Sequence, residues 1–306
     1  MITRWIIMPI KTILVTGSQG QVGQSLQQVA GQYPQYQFTF VNRQILDLSQ
    51  ADQIQRYFQH HQYDLIINCA AYTAVDQAEQ EPESADKLNH LAVKHLAEIT
   101  RQHHARLIHI STDYVFDGQG FTPYSESERT NPQTVYGLSK LMGELAIQDI
   151  PVRAIIIRTS WVYAEWGHNF VKTMLKLGQQ RDQLRVVSDQ IGSPTYAKDL
   201  ALAIINIVEA SQTSDQIFNP VAAVSSVYHY SNEGVCSWYD FAKAIFELSH
   251  TDCQLIPIES KDYPTPATRP CYSVLNKTKI KQQTGLNIPY WKDSLRNCLE
   301  NLGEAH

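Results

Sequence analysis

The sequence predicts an α/β protein: a doubly wound parallel sheet with helices on both faces, joined to a smaller, discontinuous C-terminal lobe. Three observations carry this. Short apolar runs alternate with helical periodicity through the first half of the chain, the pattern of successive strand–helix–strand units. One run, DLIINC at 64–69, is apolar almost throughout, as suits a parallel strand covered on both faces. A glycine-rich turn separates the first strand from the first helix.

Residues 11–16 (KTILVT) form the first strand, and Val22, Leu26, Val29 and Ala30 then recur at helical spacing. Residues 37–42 (QFTFVN) are the second strand; Ser49 with Asp52 three residues on reads as a capping box opening a helix through Phe58. After the strand at 64–69, one long helix is expected over 83–103, a fourth strand at 106–111, a helix opened by Pro132 and running to Ile150, and a fifth strand at 153–159. The second half is less regular. Helices are expected at 170–180, 197–210, 237–249 and 291–302, and short strands at 184–187 and 227–230. Residues 261–270 (KDYPTPATRP) hold three prolines and form a loop. In a doubly wound sheet the loops after strands one, three and four gather along one edge, where ligands bind.

Composition narrows the function. The chain has 306 residues, 43% hydrophobic and 18% charged, enough for a sizeable core without staples. A net charge of −5 argues against nucleic acid as a partner. The five cysteines are widely spaced with no CxxC, which predicts free thiols in a reducing compartment and no zinc. No run of about 18 apolar residues is present, so no spanning helix is expected. Residues 1–9 (MITRWIIMP) are too short for a secretion signal, and the first residues, up to a second start at Met8, read as a dispensable extension. A cytoplasmic location is expected.

The turn reads Gly17-Ser18-Gln19-Gly20-Gln21-Val22-Gly23. Between a strand and a helix, Gly17, Gly20 and Gly23 let the backbone turn tightly and approach a pyrophosphate at the helix N-terminus. The second strand ends in Asn42-Arg43, with no acid to hold a ribose 2′-hydroxyl. Arg43 accommodates a 2′-phosphate instead or points to solvent, which favours NADPH, or a site that also accepts NADH. Asp47 is a candidate adenine contact or a helix-capping carboxylate. Residues 1–165 therefore read as the dinucleotide-binding domain, with contributions from segments near 181–232, and 166–306 as predominantly a substrate lobe.

Tyr136 and Lys140 stand at i and i+4 on a helix, one turn apart on one face. A free phenol titrates near 10, and an adjacent ammonium draws it toward the working range. Thr112, closing the fourth strand, offers a hydroxyl to polarise a carbonyl. Ala70 and Ala71, after the third strand, leave room for a cofactor, and Asn89 anchors a water or the main chain behind Lys140.

These residues resemble the extended short-chain dehydrogenase/reductases, a Rossmann-type superfamily, and within it the dTDP-4-dehydrorhamnose reductases. The similarity runs from Lys11 to about Gly303. It rests on VTGSQGQVG (15–23), NCAAYTAVDQAE (68–79), STDYVFDG (111–118), VYGLSKLMGE (135–144), RTSWVYA (158–164), NFVKTML (169–175), DQIGSPTYAKDLA (189–201), SNEGVCSWYDFA (231–242) and YPTPATRP (263–270). It implies hydride transfer from NAD(P)H to C4 of dTDP-4-dehydro-L-rhamnose, giving dTDP-L-rhamnose. It further implies that Thr112, Tyr136 and Lys140 are catalytic, that Thr112, Asp113 and Trp161 meet the sugar, and that Asn169, Phe170 and Arg269 hold the nucleotide half. Gly20, Gln21, Val22, Asp47, Leu48, Ala71, Tyr72 and Thr73 fall at cofactor positions. Some relatives carry a Glu after the turn for a magnesium-linked dimer; Ser25 stands there, so no metal is expected, while a homodimer remains an option. The 217–226 stretch is longer than usual. Dehydratases of the superfamily place a Glu where this chain has Tyr114, which disfavours dehydration. Epimerisation and a non-catalytic, NADP-binding regulatory role are the alternatives.

Overall fold

A computed structural model of the chain describes residues 9–213, 217–218 and 226–304. The N-terminal extension and most of the 217–226 stretch lie outside the described residues. In chain order the elements of the first half are β1 (Thr12–Thr16), α1 (Gln21–Ala30), β2 (Gln37–Val41), α2 (Ala51–His60), β3 (Leu65–Asn68), α3 (Val75–Ala78), α4 (Pro82–Asp86), a π-helical turn (Lys87–Leu91), α5 (Ala92–Gln102), β4 (Arg106–Thr112), α6 (Val135–Gln148) and β5 (Arg153–Thr159). Then follow β6 (Val162–Tyr163), α7 (Phe170–Gly178), β7 (Gln183–Val187), β8 (Ile191–Gly192), β9 (Thr195–Tyr196), α8 (Ala197–Thr213), β10 (Ser226–His229), β11 (Cys236–Ser237), α9 (Trp238–Leu248), β12 (Gln254–Ile258), α10 (Thr278–Thr284) and α11 (Trp291–Leu302).

Six strands form one parallel sheet in the order β10-β5-β4-β3-β1-β2. The chain steps from β1 out to β2, then returns to the other side of β1 with β3. The direction of winding therefore reverses between β1 and β3, and the crevice beyond their C-terminal ends is where such sheets bind ligands. β3 is buried at every position, as its apolar run at 65–67 requires, and the burial includes the polar Asn68 that ends it. One face of the sheet packs Ile13, Val15 and Ile67 against Leu26 and Val29 of α1 and Leu200 and Ile204 of α8. The other packs Leu14, Ile66 and Leu107 against Ile54, Val93 and Leu96. A separate core built on Tyr163, Leu175, Phe241, Trp291 and Leu295 underlies the lobe. Of the segments between 181 and 232, α8 and β10 join the sheet, whereas β7 pairs with β12 in the lobe.

Three expectations need correction. The Ser49–Asp52 capping box does not form: Ser49 spends its hydroxyl and N–H on Asp47 (2.7 and 2.9 Å), and α2 starts after Gln50 without a side-chain cap. The helix after β4 is opened by Thr134, whose hydroxyl accepts the Gly137 N–H, not by Pro132. The long helix expected at 83–103 is interrupted by the π turn. Such turns recur at functional sites, and this one carries Asn89.

Candidate active site

Gly17 takes a left-handed φ of +66°, and a Cβ there would lie 2.6 Å from the Ala70 backbone nitrogen. The loops after β1 and β3 thus touch at the reversal point, and only glycine permits it. A Cβ on Gly23 would lie 2.3 Å from the Gly17 carbonyl oxygen, so α1 starts hard against the turn. Gly20 caps α1 with no side chain occupying its N-terminus. The turn therefore presents bare backbone N–H groups at a positive helix end, a cradle that fits a pyrophosphate.

Around it, Gln21 is tied to the lobe: its Nε2 donates to the Val162 carbonyl (3.3 Å) and its Oε1 accepts from Asn169 Nδ2 (3.0 Å). Val22 packs against the sheet, and Leu48 is buried in the core, so Leu48 can offer only its main chain. Arg43 is exposed and donates to Asp47 (3.2 Å). Burial works to raise the Asp47 carboxyl, but the Ser49 hydrogen bonds and Arg43 outweigh it and hold it below its usual range. Asp47 is thus a turn-capping carboxylate beside Arg43. Beyond β3, the Tyr72 backbone is gripped at both ends by Asn89, whose Nδ2 also donates to Ser139 (3.0 Å). Asn89 fixes the loop carrying Ala71, Tyr72 and Thr73, and reaches the Lys140 region only through Ser139. Ala71 is half-buried and Thr73 exposed on that loop.

Thr112, Tyr136 and Lys140 converge at the same edge. Glu144, one turn beyond Lys140 on α6, accepts from Ser111 on β4 and from Arg158 on β5 (2.7 Å), locking α6 over both strands. The Thr112 hydroxyl faces the Tyr136 phenol; burial pushes that phenol well up, and Thr112 opposes the shift. Lys140 faces β4 in this structure. Its Nζ donates to the Ile110 carbonyl (2.6 Å) and meets His109 Nε2 (3.3 Å). Burial draws it down to about 8, against the pull of Glu144 and Cys69. Asp113 is buried, which pushes its carboxyl up to about 6, against the Thr112 hydroxyl that donates to it (3.0 Å). Burial pushes Tyr114 up to about 12, against the charge of Arg269. A phenol held protonated there is no substitute for a carboxylate base.

In the lobe, Trp161 has a φ of +47° and stacks on Trp238 at 3.6 Å. A bulky residue held so far from its preferred backbone marks a constrained position. Phe170 packs against Trp238 and Phe241. Asn169 caps α7 through Oδ1, and its amide is spent on Gln21 and the Ala164 carbonyl. Asn169 thereby fastens the lobe to the glycine turn through Gln21, while Phe170 packs within the lobe. Arg269 pairs with Asp76 (2.6 Å) and closes the proline-rich loop onto α3. Sequence reasoning passed over Asn68, His109, Asp76, Glu144, Arg158 and Trp238. The signal for Glu144 and Arg158 was present: charges inside otherwise apolar elements need partners.

The family model described as RmlD substrate binding domain matches residues 11–304. The dTDP-4-dehydrorhamnose reductase of Aggregatibacter actinomycetemcomitans is 40% identical over 93% of this chain and 97% of its own. The chain belongs to the dTDP-4-dehydrorhamnose reductase family. Spore coat polysaccharide biosynthesis protein SpsK of Bacillus subtilis is 39% identical over 96% of this chain and 98% of its own. The crystal structure of the Bacillus anthracis dTDP-4-dehydrorhamnose reductase in complex with NADP superposes with a TM-score of 0.87 at 34% identity, covering 96% of this chain and 100% of that one. A UDP-galactose 4-epimerase structure, at 18% identity and a TM-score of 0.78, shares the fold alone. In this chain the Thr112, Tyr136 and Lys140 cluster lies at the edge where such a sheet binds its ligands.

Proposed function

We propose that the protein reduces the C4 ketone of dTDP-4-dehydro-L-rhamnose to the alcohol of dTDP-L-rhamnose, using NADPH and accepting NADH, in nucleotide-deoxysugar biosynthesis. The observation that carries the reading is the Thr112 hydroxyl facing the Tyr136 phenol at the sheet edge, with Lys140 buried one turn on. The glycine turn, with Ala71, Tyr72 and Thr73 opposite, holds the dinucleotide, and Arg43 meets its 2′-phosphate. A nicotinamide bound there would supply the hydride for C4. The Thr112 hydroxyl, which donates to Asp113 before substrate arrives, turns its one proton to the ketone oxygen and polarises it. Tyr136 gives that oxygen its proton, which its raised pKa keeps in place until charge develops. Lys140, as an ammonium on the nicotinamide ribose, stabilises the phenolate left behind. Asp113 accepts from a sugar hydroxyl, Trp161 packs against the hexose, and Arg269 faces the diphosphate.

Residues 9–165 with α8 and β10 act as the cofactor domain and the remainder as the substrate lobe. The protein works in the cytoplasm, without metal or nucleic acid, alone or as a homodimer. Tyr114, held protonated, favours reduction over dehydration. The test is NADPH oxidation at 340 nm with and without the dTDP-4-dehydro sugar; absence of turnover alongside tight binding to another enzyme would select the regulatory role instead.

A further inference from the structure

Asn68, the last residue of β3, lies opposite His109 on β4, which in turn meets Lys140 on α6, and none of the three is more than 1% exposed. Their hydrogen positions are fixed by neighbours. The Ala70 backbone N–H, which can only donate, lies 3.2 Å from Asn68 Oδ1, and the Thr16 hydroxyl lies 2.7 Å from the same oxygen. The Asn68 amide is thereby oriented, and its Nδ2 faces His109 Nδ1 at 3.1 Å. An amide nitrogen only donates, so His109 Nδ1 carries a lone pair. Burial, and then Lys140, hold the ring well below its ordinary pKa, so it is neutral with its one proton on Nε2. That N–H points at Lys140 Nζ, 3.3 Å away, while Nζ donates to the Ile110 carbonyl. An amine satisfies both neighbours, donating to Ile110 and accepting from His109. An ammonium has no lone pair and sets N–H against N–H.

We propose that His109 is a positioning residue whose Nε2–H favours the uncharged amine of Lys140 over its ammonium against Ile110, so that in alkaline solution drawing Lys140 onto a cofactor ribose is coupled to the uptake of one proton from solvent. The inference rests on the reading of Lys140 as the ribose-binding residue. In the step, Nζ gains the proton and becomes the ammonium that the departing Tyr136 proton requires; His109 keeps its Nε2–H and no other bond changes. The other titratable groups facing Lys140 do not take over this role. Glu144, on α6, is committed to Arg158 and Ser111. Cys69, after β3, is pushed up to about 12 by burial and stays a thiol. Tyr136, one turn back on α6, is raised by burial and stays a phenol. The onset of proton linkage is set by Lys140, which burial draws down to about 8.

The test is calorimetric titration of the full-length protein with NADPH at about pH 8.5 to 9, in buffers of different ionisation enthalpy, with Kd followed from about pH 7 upward. The expected result is uptake of a large fraction of one proton per cofactor and a Kd flat at neutral pH, weakening by up to about tenfold per pH unit above about pH 8. NADH, which lacks the 2′-phosphate, should give the same uptake. Lys140→Met should abolish it. His109→Leu should move its onset to higher pH, and His109→Gln, which keeps an amide donor, should restore it. Normal binding by wild type with no proton uptake, or uptake that persists in Lys140→Met, overturns the proposal without touching the proposed function. Failure to bind either nicotinamide at any pH overturns the proposed function itself.

Discussion

Gly17→Ala tests the link between the sheet's reversal point and cofactor binding. The substitution forces an L-residue to a φ of +66°, at a cost of about 1–2 kcal/mol. It also sets a methyl group 2.6 Å from the Ala70 nitrogen and 2.7 Å from its Cα and the Cys69 carbonyl carbon. Those are backbone atoms of the opposing loop, which cannot swing aside as a side chain does. The loop must retreat by several tenths of an ångström, an overpacking cost of about 1–3 kcal/mol. Together the loss should be about 2–5 kcal/mol, with NADPH affinity falling because the displaced loop carries Ala71, Tyr72 and Thr73. Gly31→Ala is the control: Gly31 has helical backbone angles of −63° and −17° and open space around it. It should gain about 0.4–1 kcal/mol and leave binding alone. Urea unfolding and fluorescence titration with NADPH measure both. A Gly17→Ala protein as stable as the Gly31→Ala control, with unchanged affinity, refutes the reasoning.

Other outcomes follow from the same geometry. Glu144→Ala leaves Arg158 buried without its partner, which should cost about 3–5 kcal/mol in denaturant unfolding; a loss under 1 kcal/mol would show that the pair does not anchor α6. Asp113, raised by burial to about 6, binds its proton more tightly folded than unfolded. Its contribution is therefore fully present below the ordinary carboxyl pKa near 4 and is lost as pH rises through about 6. Asp113→Asn should remove that dependence, worth about 2–3 kcal/mol between pH 4 and 7; superimposable stability curves for the two proteins would count against a buried Asp113. Arg43→Ala should weaken NADPH by roughly tenfold and NADH little, since one charge-assisted contact is lost; equal effects on both would place Arg43 in solvent. EDTA should change neither turnover nor oligomeric state.

Much of the fold was legible because it rests on periodicity. The apolar run at β3 and the helical recurrence of Val22, Leu26 and Val29 need only burial to explain them, and both elements lie where expected. The failures came where two local bonds compete. Ser49 reads as a helix cap, but Asp47, two residues earlier, takes its hydroxyl first. At the site, Tyr136 and Lys140 were visible as a spacing, yet spacing cannot say where Nζ points. Its direction is set by Ile110 and His109, on a strand some thirty positions earlier. His109 and Asn68 were invisible for the same reason: a polar residue in a strand shows its role only once its cross-strand neighbours are known. Asn169 and Phe170 carried motif-level similarity, but the contacts their side chains make to Ala164 and Phe241 could not be read from it.

The most direct test supplies the protein with NADPH and with dTDP-4-dehydro-L-rhamnose made from dTDP-glucose by the upstream dehydratase and epimerase. Product is identified by NMR and compared with Tyr136→Phe. The account predicts one dTDP-L-rhamnose per NADPH oxidised in wild type. In the variant it predicts unchanged NADPH affinity and a turnover lower by about 10²–10⁴-fold. NADPH binding with no ketone-dependent oxidation, or a Tyr136→Phe protein that turns over at the wild-type rate, would contradict it.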